Sequence, residues 1–326
     1  MEILTDEDHE RLVANLEHSL GSVICDALKD STVGEIMLNP DGKVWIERFG
    51  HPMMHEDTLT EKEGAFIISL VASSLELTAN RKNTSIAGEF PIGGHRFQGQ
   101  LPPNTPSPMF SIRKKAERVF TLNEYVDGGI ITQEMKVVIE EQVKRRRNII
   151  IAGGTGSGKT TLTNAIIHSI SAISPNHRLF LLEDTYELQS QSINTVRLKA
   201  TKQFPMTSQL EDTLRLRPDR IVVGEVRDEA VLGLLEAWNT GHPGGISTLH
   251  ADSAIDTLKR IETLVTRKSV SPLREVIGSA IDIVIYITKA NTESCRKVTE
   301  IMDLAGFDSS TQKYTKEYLY YEPPQY

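Results

Sequence analysis

The run Gly153-Gly154-Thr155-Gly156-Ser157-Gly158-Lys159-Thr160 spells G-x-x-x-x-G-K-[ST], a spacing with a definite chemical use. Its glycines let successive backbone N–H groups turn inward onto a phosphate, where a Cβ would obstruct them. A helix beginning at Lys159 aims its positive end at the same anion. Lys159 is placed to bridge the β- and γ-phosphates of ATP, Thr160 to ligate Mg2+, and Thr161 to complete the nucleotide-binding run. Phosphoryl transfer then needs an acidic group near the metal and another to position the attacking water.

Two places offer such carboxylates at the C-terminal ends of expected strands, where α/β sheets bind ligands. One is Glu183-Asp184, within Leu181-Leu182-Glu183-Asp184-Thr185-Tyr186-Glu187-Leu188; the other is Glu225, after Ile221-Val222-Val223-Gly224. Asp219 precedes its strand, which puts it at the wrong end of the sheet and gives it a local role in the Pro218-Asp219 turn. His250 ends a further expected strand, where a γ-phosphate sensor would sit, whereas His242 lies in the Gly/Pro-rich loop before it.

These groups require a scaffold of alternating strands and helices, and the sequence beyond about Arg118 supplies one. Strands are expected at Asn148 to Ala152, Arg178 to Glu183, Asn194 to Leu198, Arg220 to Val223 and Gly245 to Leu249. Leu162, Ile166 and Ile170 make one apolar stripe behind the phosphate loop. Ser253 and Asp256 form a helix-start signal ahead of Ile255, Leu258, Ile261 and Val265. The first part of the chain reads differently. Asn39-Pro40-Asp41-Gly42 supplies turn chemistry for a hairpin from Glu35 to Glu47. A helix follows around Thr60 to Leu77, then short strands at His95-Arg96-Phe97 and Phe110-Ser111-Ile112. Pro102 to Pro108 separates them as an ordered loop, being too proline-rich for a central strand or helix. The expected architecture is an α/β P-loop NTPase (RecA-like) C-terminal domain over residues 119–326, behind a smaller α+β N-terminal domain over 1–118.

Composition narrows the function. With Lys+Arg 36 against Asp+Glu 44, the formal net charge is -8, a poor basis for strong non-specific nucleic-acid binding. Cys25 and Cys295 are too few for a disulfide framework or a zinc ribbon. Met1 to Glu10 is acidic without a signal-peptide apolar core, and no apolar run approaches the roughly 20 residues of a membrane span. The expected compartment is the cytoplasm, with any membrane contact peripheral. Lys144-Arg145-Arg146-Arg147 reads as cations complementing a helix C-terminus rather than a lipid or DNA site.

Gly153–Thr160, Leu182–Leu188, Leu216–Arg227 and Gly241–Asp252 resemble, in order and spacing, the Walker A, Asp box, Walker B and His box of the secretion ATPase superfamily. Gly94–Pro103 and Phe110–Lys114 extend the likeness to most of the chain, nearest the conjugal-transfer branch of the type IV secretion traffic ATPases. The resemblance implies a homohexameric ring, with each domain forming a layer, that uses ATP and Mg2+ for pilus assembly or transfer of conjugative DNA–protein substrate through a type IV secretion channel. Its partners would be other ATPases and inner-membrane subunits, at the cytoplasmic face of that membrane. By motif, Glu183 is implied as the water-orienting carboxylate, Glu225 as the Walker B acid that also faces the metal, and His250, with His242, as γ-phosphate sensors. Arg96 and Arg113 match N-terminal-domain arginines that reach over the nucleotide, with a hinge near Ala116 to Glu124.

Alternatives share parts of this pattern. A type II secretion or type IV pilus motor carries the same four boxes, but assembly members commonly have a tetracysteine zinc motif that two cysteines cannot form. A nucleotide-gated, non-hydrolysing module would not need Lys159, Thr160, Glu183 and Glu225 together. A small-molecule kinase would need a lid with paired arginines, and none is apparent.

Overall fold

A computed structural model describes residues 6–48, 51–115, 118–201, 203–228, 230–290 and 295–323. The chain divides into two compact units, Met1–Glu117 and Arg118–Tyr326.

The first unit packs two helices, α1 (Asp6–Lys29) and α2 (Glu61–Ser74), on a sheet of β1 (Val33–Leu38), β2 (Lys43–Arg48), β3 (Met54–Thr58), β4 (Ser85–Glu89), β5 (Arg96–Gln100) and β6 (Met109–Arg113). The strand order is β3-β2-β1-β6-β5-β4 and every pairing is antiparallel. The expected first hairpin forms because Gly42, at φ 82°, turns the chain and Asp41 accepts from the Lys43 N–H at 3.1 Å. Thr60 starts α2 through reciprocal bonds with Glu63. Ile67, Ile68 and Val71 on α2 meet Leu16, Leu20 and Ile24 on α1 over Ile36, Val44, Phe97 and Phe110 of the sheet. Trp45 stands on β2 in this unit.

Residues 101–108 connect β5 to β6, so the proline-rich loop is at one end of that hairpin. Arg96 opens β5 and Arg113 closes β6, at the other end, and the register sets them directly opposite each other. It is the ladder, and not the proline-rich loop, that sets these two residues side by side. The Ala116 end of the expected hinge lies outside the described residues, and from Thr121, the N-cap of α3 (Leu122–Asp127), the chain is helical.

The second unit is a RecA-like α/β layer structure. After α3 come α4 (Gln133–Lys144), β7 (Ile149–Ala152), α5 (Lys159–Ile173), β8 (Leu179–Glu183), β9 (Thr195–Lys199), α6 (Met206–Leu214), β10 (Arg220–Val223), α7 (Ala230–Asn239), β11 (Ile246–Leu249), α8 (Ala254–Val265) and α9 (Arg274–Ala280). Three more strands follow: β12 (Ile283–Lys289), β13 (Arg296–Asp308) and β14 (Lys313–Tyr321). The sheet runs β14-β13-β12-β7-β11-β10-β8-β9, parallel from β12 to β9 and antiparallel from β12 outwards to β14. All four residues of β7, β10 and β11 are buried, as strands covered on both faces must be. Leu162, Ile166 and Ile170 of α5 are fully buried on one face, while Trp238 of α7 and Leu258 and Ile261 of α8 fill the other.

The N-terminal edge of this sheet is pinned by polar groups. Arg220, 1% exposed, donates to His177 Nδ1, Gly244 O and Val143 O. Asp219 accepts from the Arg178 N–H at 2.8 Å, a bond across to the start of the neighbouring strand and not one within its own turn. In the basic run, Arg145 pairs with Glu141, Arg146 donates to Asp219 O, and Arg147 pairs with Asp282 and Asp303. Three of its four cations are thus engaged in holding the fold.

Candidate functional site

The loop 153–158 leaves β7 and enters α5 at Lys159, so the glycine run spans a strand-to-helix junction. Gly156 and Gly158 adopt φ of 71° and 95°, which L side chains rarely tolerate. A Cβ on Gly153 would collide with the carbonyl of Ile287 on β12. Lys159 is only 7% exposed; its Nζ lies 2.9 Å from Gly153 O, 2.9 Å from Gly154 O and 3.3 Å from His250 Nδ1. The ammonium therefore rests on the loop's own carbonyls, where a triphosphate would compete for it. The Ser157 hydroxyl is buried with no hydrogen-bond partner among the described residues.

Glu225 and His250 follow β10 and β11, two of the parallel strands beside β7, and so stand at the same sheet edge as the loop. His250 Nε2 is 3.4 Å from Glu225 Oε1. Because an ammonium can only donate, Lys159 assigns Nδ1 as acceptor and leaves Nε2–H to face the Glu225 carboxylate. Glu225 is also gripped by Arg227, Nε to Oε1 at 2.6 Å and Nη2 to Oε2 at 2.7 Å. Burial pushes the Glu225 carboxyl up, but the Arg227 hydrogen bonds and charge, with His250 and Lys159, outweigh it and hold the group below its ordinary value. The result is one connected chain, Lys159–His250–Glu225–Arg227.

Glu183 is placed differently from the water-orienting group that its motif implies. It is 3% exposed, and Oε1 accepts from the N–H groups of Glu187 at 2.8 Å and Leu188 at 2.6 Å. Its other oxygen lies 3.5 Å from Arg197 Nη2. Burial drives this carboxyl above its ordinary value, against those N–H donors and the guanidinium. The side chain lies across Gly224, whose added Cβ would stand 3.2 Å from Glu183 Cγ. Glu183 therefore ties the loop after β8 to the base of Glu225, with Oε1 taken by two backbone donors and Oε2, among the described residues, facing only the Arg197 guanidinium. Asp184 is exposed beside it, and its charge, like that of Glu187, favours the Arg227 guanidinium. Asn164 of α5 holds the same loop from the other side, donating to Glu187 O and accepting from Gln189 N.

His242 belongs to the loop before β11 and His250 to the residue after it. The four-residue strand separates them by ~13 Å of extended chain, which puts His242 at the edge opposite the phosphate loop. Pairing His242 with His250 as sensors within one chain is thus corrected. In the first unit, Arg113 reaches Glu35 at 3.3 Å, and no carboxylate among the described residues pairs with Arg96.

The oxygen donors near the loop are the Thr160 hydroxyl and the Glu225 carboxylate. No cluster of three or more His, Cys, Asp or Glu side chains among the described residues makes a self-sufficient metal site. That sparse, hard-oxygen donor set fits Mg2+ shared with phosphates and water, and does not fit a structural transition metal.

The sequence motifs missed four contributors: Arg227, Asn164, and Lys289 and Arg296 at the paired ends of β12 and β13. Arg227, Lys289 and Arg296 are cations near the loop in addition to Lys159. The continuous apolar run from Ile283 to Ile287 was the signal for a buried strand leading to Lys289.

Comparison with known proteins shows what the chain is similar to. The family described as Type II/IV secretion system protein matches residues 94–320. The probable conjugal transfer protein TrbB of Sinorhizobium fredii is 46% identical over 299 residues, covering 92% of this chain and 91% of that one. The type IV secretion system protein VirB11 of Bartonella quintana is 30% identical over 322 residues, covering 84% and 89%. Among solved structures, the Legionella pneumophila ATPase DotB aligns at a TM-score of 0.62 and 20% identity over 89% of this chain and 81% of that one. The pilus retraction motor PilT with bound ADP aligns at 0.61 and 20% over 92% and 82%. At such identities these two structures speak for the fold. No helix among the described residues is long and apolar enough to cross a membrane.

Proposed function

The chain belongs to the type II/IV secretion system protein family, and from that premise we propose that it hydrolyses ATP as one subunit of a homohexameric motor of a type IV secretion system. Its work is pilus assembly or conjugative substrate transfer, in the cytoplasm against the inner membrane, with other ATPases and inner-membrane channel subunits as partners. The conjugal transfer names of its relatives at 46% identity support this over the pilus-motor alternative. The observation that carries the hydrolytic reading is the chain Lys159–His250–Glu225 beside the glycine loop.

In this reading the loop N–H groups and the start of α5 hold the β-phosphate, and Lys159 leaves the Gly153 and Gly154 carbonyls for the β- and γ-oxygens. His250 Nδ1 then loses its donor, so the imidazole registers whether a γ-phosphate is present and relays this to Glu225. Glu225, freed from Arg227, orients the attacking water and accepts its proton. Mg2+, held by Thr160 and faced by Glu225, would supply charge neutralisation at the phosphates. Glu183 acts as a positioning residue, keeping Asp184 and the base of Glu225 in place. To Arg96 and Arg113 we assign neutralisation of phosphate charge, supported by their apposition across β5 and β6, which brings two guanidiniums to one end of the hairpin.

Phosphate release from ATP by the purified protein, with and without Mg2+, tests the reading. Lys159→Ala should lower turnover by about 10²–10³ with the fold intact. Near wild-type turnover in a folded Lys159→Ala protein would remove the phosphate-loop assignment.

A further inference from the structure

Lys289 and Arg296 stand directly opposite each other where β12 meets β13. Like charges in that position destabilise a ladder, and here the pair lies against the glycine loop. A Cβ built on Gly156 would be 3.4 Å from Lys289 Cε and 3.5 Å from its Nζ. One built on Gly158 would be 3.1 Å from Arg296 Cδ and 3.4 Å from both Nε and Nη1. The placement follows from topology. β12 is the parallel neighbour of β7, with Tyr286 beside Ala152, so its continuation past Ile287 must run alongside the loop that leaves β7. Glycine at 156 and 158 thus serves two purposes: it permits the left-handed turns, and it lets two cationic stems lie close against the loop.

We propose that Lys289 and Arg296 form a second cationic arm of the nucleotide site, binding the polyphosphate from the side away from Lys159, His250 and Glu225. The proposal rests on the nucleotide reading above and adds a ligand-binding role for the C-terminal hairpin. Approaching from β12 and β13 rather than from β10 and β11, the pair has no contact with the carboxylate that handles water. Its interaction is therefore with phosphates that ATP and ADP share, and it is as strong in the ground state as in the transition state. Removing it should raise Kd and KM and leave kcat nearly unchanged, opposite to the effect of losing Lys159.

The experiment titrates ADP and a non-hydrolysable ATP analogue into the full chain at two salt concentrations. Lys289→Gln and Arg296→Gln retain much of the aliphatic stems, and Arg296→Lys restores the charge. Each Gln variant should weaken both nucleotides in parallel by about fivefold to tenfold, and the double variant by more, each tenfold being 1.4 kcal/mol. Salt dependence of binding should fall with each charge removed, and Arg296→Lys should recover part of the affinity. Melting of the nucleotide-free protein should stay at the wild-type temperature or rise slightly, as like-charge repulsion across the ladder is relieved, while the nucleotide-induced rise shrinks. Wild-type affinity and salt dependence in the double variant would overturn this proposal alone. A fall in nucleotide-free melting that Arg296→Lys does not repair, with affinity lost in step, would also overturn it, since the hairpin would then be purely structural. Absence of nucleotide binding by the wild-type chain would overturn the nucleotide reading, and this proposal with it.

Discussion

Replacing Glu183 by Gln and by Ala separates a carboxylate that positions from one that reacts. In the structure Glu183 Oε1 receives the Glu187 and Leu188 N–H groups at 2.8 and 2.6 Å. Bonds to a charged acceptor are worth about 1.5–3 kcal/mol each, so two of them give about 3–6 kcal/mol. Against this stands the cost of burying the charge, which exceeds the bonds as judged by protonation, because the carboxyl is held above its ordinary value. Glu183→Ala removes both bonds and leaves the buried Leu188 N–H without its acceptor, for a net loss of about 2–4 kcal/mol. Glu183→Gln keeps an oxygen acceptor and removes the buried charge, so the change should be within about 1 kcal/mol. The pH dependence has a definite sign. A raised folded value means that the folded state binds the proton more tightly, a stabilisation fully present below the ordinary carboxyl value of 4.5 and lost as pH rises through the folded one. Wild type should therefore lose ground to Glu183→Gln across that window and hold a constant difference above it. Hydrogen exchange at the Leu188 amide together with steady-state ATPase measurements reads both effects. Glu183→Ala should expose that amide, whereas Glu183→Gln should protect it and stay within about tenfold of wild-type turnover. A Gln variant with native exchange and stability but turnover down by the ~10²–10⁴ of a lost general base would refute the positioning role.

Two further outcomes follow from the site. Glu225→Gln should keep nucleotide affinity and lose turnover by about 10²–10³, since an amide preserves the shape but takes no proton; parallel loss of affinity in a binding titration would make Glu225 structural. Arg96→Ala and Arg113→Ala should each lower turnover by about tenfold or more and leave thermal melting of the first unit nearly unchanged; wild-type kinetics in both would confine the chemistry to the second unit.

The central sheet was legible because its strands are short, buried on both faces, and bounded by glycine, proline and charged residues. Asn148 to Ala152 and Gly245 to Leu249 emerge within one residue of β7 and β11. The antiparallel extension was not. Tyr314, Tyr318 and Tyr320 share one face of β14, but Lys316 interrupts that face, and half-exposed aromatic strands at a sheet edge carry little burial signal. For the same reason Lys289 and Arg296 escaped, since only the ladder between β12 and β13 brings them beside Gly156 and Gly158. Lys159 was found through the spacing of its glycine run, and Glu225 and His250 because each closely follows a central strand. The role of Glu183 was not recoverable from its motif, because its N–H donors come from residues four and five positions further along, and only the turn of that loop folds them back.

The separate cores of the two units carry a consequence for spectroscopy. The chain has two tryptophans, Trp45 on β2 and Trp238 on α7, and each sits in a different unit. Trp238 is 3% exposed and its indole N–H has no partner among the described residues, so its emission should be blue-shifted until that core opens. Trp45 stands half-buried beside His55, with ring centroids 5.8 Å apart. A Trp45→Phe chain would then report the melting of the nucleotide-binding core alone, and a Trp238→Phe chain that of the first unit. Intrinsic fluorescence of this one polypeptide can thus be divided into two independent thermometers without an added label.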